Sequence, residues 1–171
     1  MTDWMTRVSH GRAWWLFLLL LGLLLEGTAL FYQYVLDEPP CVLCIHVRIG
    51  VLLMMAVALL GLAGGGRLAH LLNLGVIGWL IERSWQLLAI ERGWTFGECD
   101  MLLGTPDWLP LDRWFPLIFE IKTACGYTPL LPGGISMAEA LMGLFSLLGL
   151  IALLLFAFSW RKSAFSLRKD A

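Results

Sequence analysis

Two cysteines separated by two residues, Cys41 and Cys44, are the part of this sequence best suited to chemistry. They stand at the start of an apolar stretch, so their thiols lie at a predicted helix N-terminus. The unpaired amides and the positive dipole end of a helix favour a thiolate there. Cys44 is the better placed of the two, and Arg48 adds a cation one turn further along the same face. The motif therefore predicts a reactive dithiol.

Three interpretations of the Cys41–Cys44 pair compete. A tetrahedral zinc site would need a second closely spaced ligand pair, whereas Cys99 and Cys125 are far apart in the sequence. A structural disulfide would be chemically inert. We favour a redox-active pair, because a cation and a helix N-terminus converge on it, and we predict no metal site.

Cys99 and Cys125 permit two interpretations of their own. A disulfide between them would close a long loop and contribute about 3–4 kcal/mol of stability. Alternatively, they form a second dithiol that exchanges with the first pair and with an outside partner. The apolar run 108–119 lies between them. It predicts either a segment lying on a membrane surface, which would keep both cysteines within reach of Cys41, or a loop packed on helix ends.

The composition places these cysteines in a membrane protein. Of 171 residues, 59% are hydrophobic and 15% are charged, whereas soluble domains have about 25% charged residues. The net charge of −1 offers no field that would attract nucleic acid. Together these values exclude a disordered chain, a nucleic-acid module and an ordinary cytosolic enzyme. Four apolar windows are long enough to cross a bilayer, at about 20 residues each. We therefore predict an all-α, single-domain bundle over residues 1–171, with four transmembrane helices at 14–36, 44–64, 68–90 and 137–160.

The basic residues predict how this bundle is oriented. Most of the 12 lysines and arginines lie in the two terminal tails and in the link between the second and third spans. Because such residues mark the cytoplasmic side, we expect both termini to be cytoplasmic and loops 37–43 and 91–136 to face the other side. All four cysteines lie on that side, which in a bacterium is the periplasm, where disulfides persist. The first span could instead be a signal peptide, but its apolar stretch is too long, so we expect it to stay uncleaved.

Ionisable residues inside the predicted spans are functional candidates, because they are costly to bury in lipid. Glu26 and Gln33 share one face of the first span, and the third span contains Glu82 and Arg83. One interpretation is a structural Glu26–Arg83 or Glu82–Arg83 pair. The other is that these groups line a cofactor site or carry protons.

Taken in order, these features resemble the DsbB family of disulfide bond formation proteins, and the likeness covers nearly the whole chain. The matching features are Gly11-Arg12, Glu26 and the stretch 29–33 in the first span, Cys41-Val-Leu-Cys44 with Arg48 at the head of the second, Cys99-Asp100, the segment 108–114, and Cys125.

The resemblance implies a membrane thiol:quinone oxidoreductase of the bacterial inner membrane. Such a protein reoxidises a DsbA-like, thioredoxin-fold oxidase in the periplasm and passes the electrons to ubiquinone or menaquinone. By the same resemblance, Cys99 is attacked by the partner's cysteine and Cys41 exchanges with Cys125. Cys44 then faces the quinone, and Arg48 holds both the quinone and the Cys44 thiolate.

Glu26, Gln33 and Arg92 are further candidate quinone ligands. The chain also departs from the family pattern. It has His46-Val47-Arg48 where the family often has Tyr-Glu-Arg, and it has no histidine beside Arg92, where some members carry one. Such departures are compatible with a paralogue that serves a dedicated partner.

Two other functions remain as alternatives. One is a four-helix thiol–quinone enzyme similar to vitamin K epoxide reductases, but that group has its Cys-x-x-Cys late in the chain. The other is a non-enzymatic membrane protein with two structural disulfides, whose cysteines would resist mild reductants.

Overall fold

The computed structural model describes residues 12–95, 104, 110–126, 128–131 and 133–169, with side chains of the last helix described to residue 157. Within these residues the chain is helical, apart from an isolated bridge between Leu130 and Ser136. The helices are α1 (Arg12–Tyr34), α2 (Val42–Leu62), α3 (Gly66–Glu91), α4 (Leu111–Trp114), α5 (Pro116–Phe119) and α6 (Met137–Lys169).

Three of these helices are long and apolar enough to cross a membrane: Arg12–Tyr34, Val42–Leu62 and, within α6, Met137–Ala157. They coincide with three of the predicted spans and indicate a membrane protein. The remaining predicted span, 68–90, is also one continuous helix, α3. However, α3 carries charged residues such as Glu82 and Arg83 and is not among the three, so a fourth crossing is not confirmed.

Local sequence explains where α6 and α2 begin. At the start of α6, the Ser136 hydroxyl accepts a hydrogen bond from the Glu139 amide (3.2 Å), and a Glu139 carboxylate oxygen accepts one from the Ser136 amide (3.1 Å). This reciprocal capping box satisfies two amides that a helix N-terminus leaves unpaired. At the start of α2, Cys41 is the N-cap residue. We call the end of the bundle where α2 and α6 begin the cysteine end.

The long helices pack in an order that leaves one side of α2 open. Helix α1 packs on α2, α2 on α3, and α3 on α6. Close approach of α2 and α3 requires Gly50, because a Cβ atom there would collide with the Leu80 side chain. Among the described residues no comparable packing joins α1 to α6, and a cavity lies between them over α2.

The outer surface of the bundle is apolar. Several large side chains on α1, α2 and α6 are more than half exposed: Leu20, Leu24, Leu59, Leu60, Leu150 and Leu154. A water-soluble monomer rarely exposes so continuous an apolar surface, whereas a lipid-facing surface requires one.

Candidate functional site

The two thiols of the Cys-x-x-Cys motif are in contact at the cysteine end. Cys41 has an extended backbone (φ −86°, ψ 170°), and Cys44 lies in the first turn of α2. The sulfur atoms of Cys41 and Cys44 are 2.8 Å apart. Cys41 is 1% exposed, whereas Cys44 is partly exposed. Both cysteines are free thiols in this structure.

The helix N-terminus stabilises Cys41 rather than Cys44. The Cys44 amide donates to the Cys41 sulfur over 3.3 Å, because Cys41 is the cap residue and its side chain turns back over the first turn. Hydrogen bonds from the Cys44 thiol and from this amide lower the pKa of Cys41 from 9.0 to about 7, although burial opposes the shift. The expectation that Cys44 is the better placed to receive the helix amides is thereby corrected.

Arg48 is a buried cation whose hydrogen bonds go to neutral oxygens. It is 6% exposed. Nη1 donates to Gln33 Oε1 (2.6 Å) and to the Ile118 carbonyl (2.9 Å), and Nη2 donates to the Ala29 carbonyl (3.2 Å). These dipoles solvate the guanidinium but do not neutralise it. Its charge therefore remains available to an anionic or carbonyl group, and it interacts electrostatically with Glu26 and Cys44.

Gln33 connects Arg48 to the loop that follows α3. Its side chain is buried, accepts from Arg48, and donates through Nε2 to the Leu117 carbonyl over 3.2 Å. The Tyr34 hydroxyl donates to the same carbonyl over 2.5 Å. The backbone of α5 is thus fastened to both α1 and α2. Sequence reasoning found Gln33 but missed the carbonyl acceptors, because a backbone carbonyl has no residue signature.

An apolar cavity of about 180 Å³ lies between α1, α2 and α6. Cys44, Arg48 and Glu26 line it among mostly apolar side chains, with Tyr32 and Glu38 as further polar groups. A quinone head group is flat and apolar and carries two carbonyl acceptors. The cavity fits such a group, because it combines apolar walls, a cationic hydrogen-bond donor and a thiol. Gln33 contacts the Arg48 guanidinium but does not itself line the cavity.

The structure does not bring Arg92 to this cavity. Arg92 is the C-cap residue of α3 and forms an ion pair with Glu139 on α6. It joins the ends of these two helices, and the expectation that it contacts the cofactor has no support in this geometry. The expected Glu82–Arg83 pair is present, with 3.7 Å between Nε and Oε2. The alternative Glu26–Arg83 pair is not formed, since Glu26 faces the cavity instead.

Cys125 is held in a disulfide and packs against the buried cluster that contains Cys41 and Phe119. The second loop also contacts the first directly, because the Lys122 amide donates to the Pro40 carbonyl over 3.1 Å. Cys99 lies outside the described residues. In the described part of the run 108–119, Trp114, Phe115 and Leu117 are each more than half exposed, whereas Phe119 is buried in the cluster that contains Cys41. The run thus has features of both predicted arrangements, a surface segment and a loop packed on helix ends. The cysteine loops therefore meet next to the Cys41–Cys44 pair.

The described residues contain no group of three or more His, Cys, Asp or Glu side chains placed to hold a metal ion.

Comparison with known proteins assigns this arrangement to one family. The family model described as "Disulfide bond formation protein DsbB" matches residues 11–155. A Disulfide bond formation protein B of Shewanella sp. (strain MR-4) is 37% identical over 159 residues, which cover 88% of this chain and 89% of the relative. The protein of that name from Shewanella loihica is 36% identical, covering 89% of this chain and 92% of the relative. The one from Yersinia pestis (strain Pestoides F) is 30% identical over 164 residues, 90% of each chain.

Proposed function

Because this chain belongs to the DsbB family of disulfide bond formation proteins, we propose that it oxidises the dithiol of a DsbA-like partner and passes the electrons to a membrane quinone. The observation that carries this proposal is that Cys44 and Arg48 line one apolar cavity while Cys41, in contact with Cys44, packs in the cluster against which Cys125 lies. One thiol of the pair is thus open to an apolar electron acceptor, and the other is close to the second cysteine loop.

The proposed relay moves two electrons through two cysteine pairs. The partner's thiolate attacks Cys99 of a Cys99–Cys125 disulfide, and the released Cys125 thiolate attacks Cys41 of the oxidised Cys41–Cys44 pair. This releases Cys44 as a thiolate at the cavity. When the partner's second thiol displaces Cys99, Cys99 restores the disulfide with Cys125 and leaves Cys41 and Cys44 reduced. The partner leaves oxidised, and each exchange breaks one disulfide for every one it forms.

The last step returns the Cys41–Cys44 pair to a disulfide. A bound quinone would supply an acceptor for the two electrons of the pair and, over the whole relay, for the two protons of the partner's dithiol. Arg48 orients the acceptor and stabilises negative charge beside Cys44. Cys41, as the thiol with the lowered pKa, is held next to Cys44 to close the disulfide. A DsbA-type pair has a potential of roughly −120 mV, so its reoxidation needs a still better acceptor, which a membrane quinone provides.

The proposal also includes how the chain is placed in the membrane. The chain forms one domain over residues 1–171, crosses the bacterial inner membrane four times, keeps both termini in the cytoplasm, and presents the cysteine end to the periplasm. The positive residues of the tails and of the α2–α3 link support this orientation. In α3, the cost of Glu82 and Arg83 in lipid is reduced because they pair with each other and with Gln86.

Quinone reduction tests the proposal. The purified full-length protein is mixed with a reduced DsbA-like oxidase and soluble ubiquinone or menaquinone analogues, and quinone absorbance is followed. We expect turnover that is lost in Cys44→Ser and retained in Leu59→Ala, a control on the outer face of α2. If the oxidase is not oxidised, a small synthetic dithiol is tested in its place. Oxidation of that dithiol would indicate a dedicated partner, whereas no oxidation would indicate an inactive protein. Failure to oxidise either reductant with either quinone would overturn the proposal and favour a protein with structural disulfides.

A further inference from the structure

Glu26 is an acidic side chain in the cavity that the relay above does not use. It lies on α1 and lines the cavity together with Cys44 and Arg48. Its Oε1 atom is buried and has no hydrogen-bond partner among the residues that the structure describes. A carboxyl oxygen left unpaired among apolar walls is unusual, because burial of an unsatisfied polar group is costly. An oxygen in this situation is available to a molecule that enters the cavity.

Glu26 is not needed to hold Arg48 in place. The guanidinium already donates to Gln33, Ile118 and Ala29, and none of these contacts involves Glu26. The charge of Arg48 attracts a carboxylate at Glu26, whereas the apolar walls favour the uncharged acid. The remaining polar groups of the cavity are Cys44, Tyr32, Thr28 and Glu38. A carboxyl group in this setting can exchange a proton at small cost in either direction.

We propose that Glu26 is the general acid that protonates a quinone bound in this cavity. This inference rests on the proposed function. As the electron pair leaves Cys44, the Glu26 carboxyl group donates its proton to the nearer acceptor oxygen. Cys44 enters this step as a thiolate, so formation of the Cys41–Cys44 disulfide releases one proton, from Cys41, which returns to the Glu26 carboxylate. The second acceptor oxygen takes up a proton that the partner's dithiol gave up earlier in the relay. Over the whole cycle, the partner's two thiols and a quinone thereby give a disulfide and a quinol.

The experiment compares Glu26→Gln with wild type in the full-length protein, reconstituted in lipid nanodiscs. Glutamine keeps the size and the hydrogen-bonding capacity of Glu26 but has no acidic proton. We expect kcat for reduction of a ubiquinone analogue to fall by about 100-fold, the usual contribution of a general acid, while KM for that analogue changes by less than about three-fold. Glu82→Gln is the matched control, because Glu82 lies on the outer face of α3 and not in the cavity. It should keep wild-type kinetics.

A second readout does not depend on turnover. Infrared spectra of the wild-type protein at pH 7 without quinone should show the carbonyl stretch of a neutral carboxylic acid, and this band should shift in D₂O. Exposed carboxyl groups are ionised at that pH and do not contribute. The band should disappear in Glu26→Gln and persist in Glu82→Gln. If Glu26→Gln fails to fold, the absence of a D₂O-sensitive band from the wild-type protein would still overturn the inference.

The two readouts also separate this inference from the proposed function. If wild-type protein reduces quinone, but Glu26→Gln matches it in kcat, the role of Glu26 is overturned and the relay stands. A larger KM with unchanged kcat would make Glu26 a binding residue and would also overturn its role as an acid. Absence of a neutral-acid band in the wild-type protein has the same consequence. If the wild-type protein reduces no quinone at all, the proposed function itself fails.

Discussion

The Arg48 guanidinium donates a 2.9 Å hydrogen bond to the backbone carbonyl of Ile118, a residue 70 positions further along the chain. This bond joins the cation of the cavity to the short helix α5, which belongs to the same loop as Cys125. Gln33 reinforces the connection, because it accepts from Arg48 and donates to the neighbouring Leu117 carbonyl. Hydrogen bonds therefore join the cavity to the second cysteine loop.

Replacement of Arg48 by lysine should not preserve function. The Arg48 guanidinium donates to α1 through both Nη1 and Nη2, and to α5 through Nη1. A lysine ammonium is a single point on a flexible stem and cannot reproduce this geometry. We expect Arg48→Lys to raise KM for a quinone analogue by about ten-fold or more, which corresponds to roughly 1.4 kcal/mol of lost binding. Steady-state quinone reduction at a fixed concentration of reduced oxidase measures this. Wild-type KM in Arg48→Lys would show that charge alone is sufficient.

Gln33 should act through Arg48. We expect Gln33→Leu to remove the 2.6 Å contact to Arg48 and the bond to α5, and to leave a buried donor partly unsatisfied at a cost of about 1–3 kcal/mol. Amide hydrogen exchange of residues 117–119 should become faster, and KM for quinone should rise. Gln86→Leu is the matched control, since the side-chain hydrogen bonds of Gln86 to described residues stay within α3, at Glu82 and Arg83. Unchanged exchange in Gln33→Leu would mean that α5 is held by other contacts.

The rate at which Cys41 is alkylated should depend on pH in the neutral range. The pKa of Cys41 is lowered to about 7 by the Cys44 thiol and amide, so its thiolate is already abundant near neutral pH. The rate of alkylation of Cys41 by iodoacetamide should therefore rise with a midpoint near pH 7. Cys44→Ala removes the thiol donor and should move that midpoint up towards 9.0, the ordinary value for the thiol. Mass spectrometry of the alkylated peptide measures both rates, and a midpoint that stays unchanged in Cys44→Ala would contradict the assignment.

Much of this arrangement could be predicted from the sequence, because apolar runs of sufficient length and the position of Cys41 and Cys44 before one of them leave few alternatives. The partners of the polar side chains could not be predicted in the same way. Glu26 lines the cavity with Arg48 rather than pairing with Arg83, since the rotation of α1 about its axis depends on packing and not on depth in the membrane. The Ile118 carbonyl could not be predicted as an acceptor either, because every residue has the same backbone carbonyl.

Arg92 provides the final prediction, because the sequence and the structure disagree about it. Proximity to the end of the third predicted span made Arg92 a candidate quinone ligand, whereas in the structure it pairs with Glu139 outside the cavity. Its side chain is 52% exposed and that of Glu139 is 33% exposed, so solvent screens the pair and it should contribute little to stability. We therefore expect Arg92→Ala to lower the thermal unfolding midpoint slightly and to leave KM for quinone within about two-fold of wild type. Glu139→Ala should lower that midpoint further, because it also removes the capping contact to the Ser136 amide. A large rise in KM for Arg92→Ala, with no comparable rise for Glu139→Ala, would return Arg92 to the quinone site.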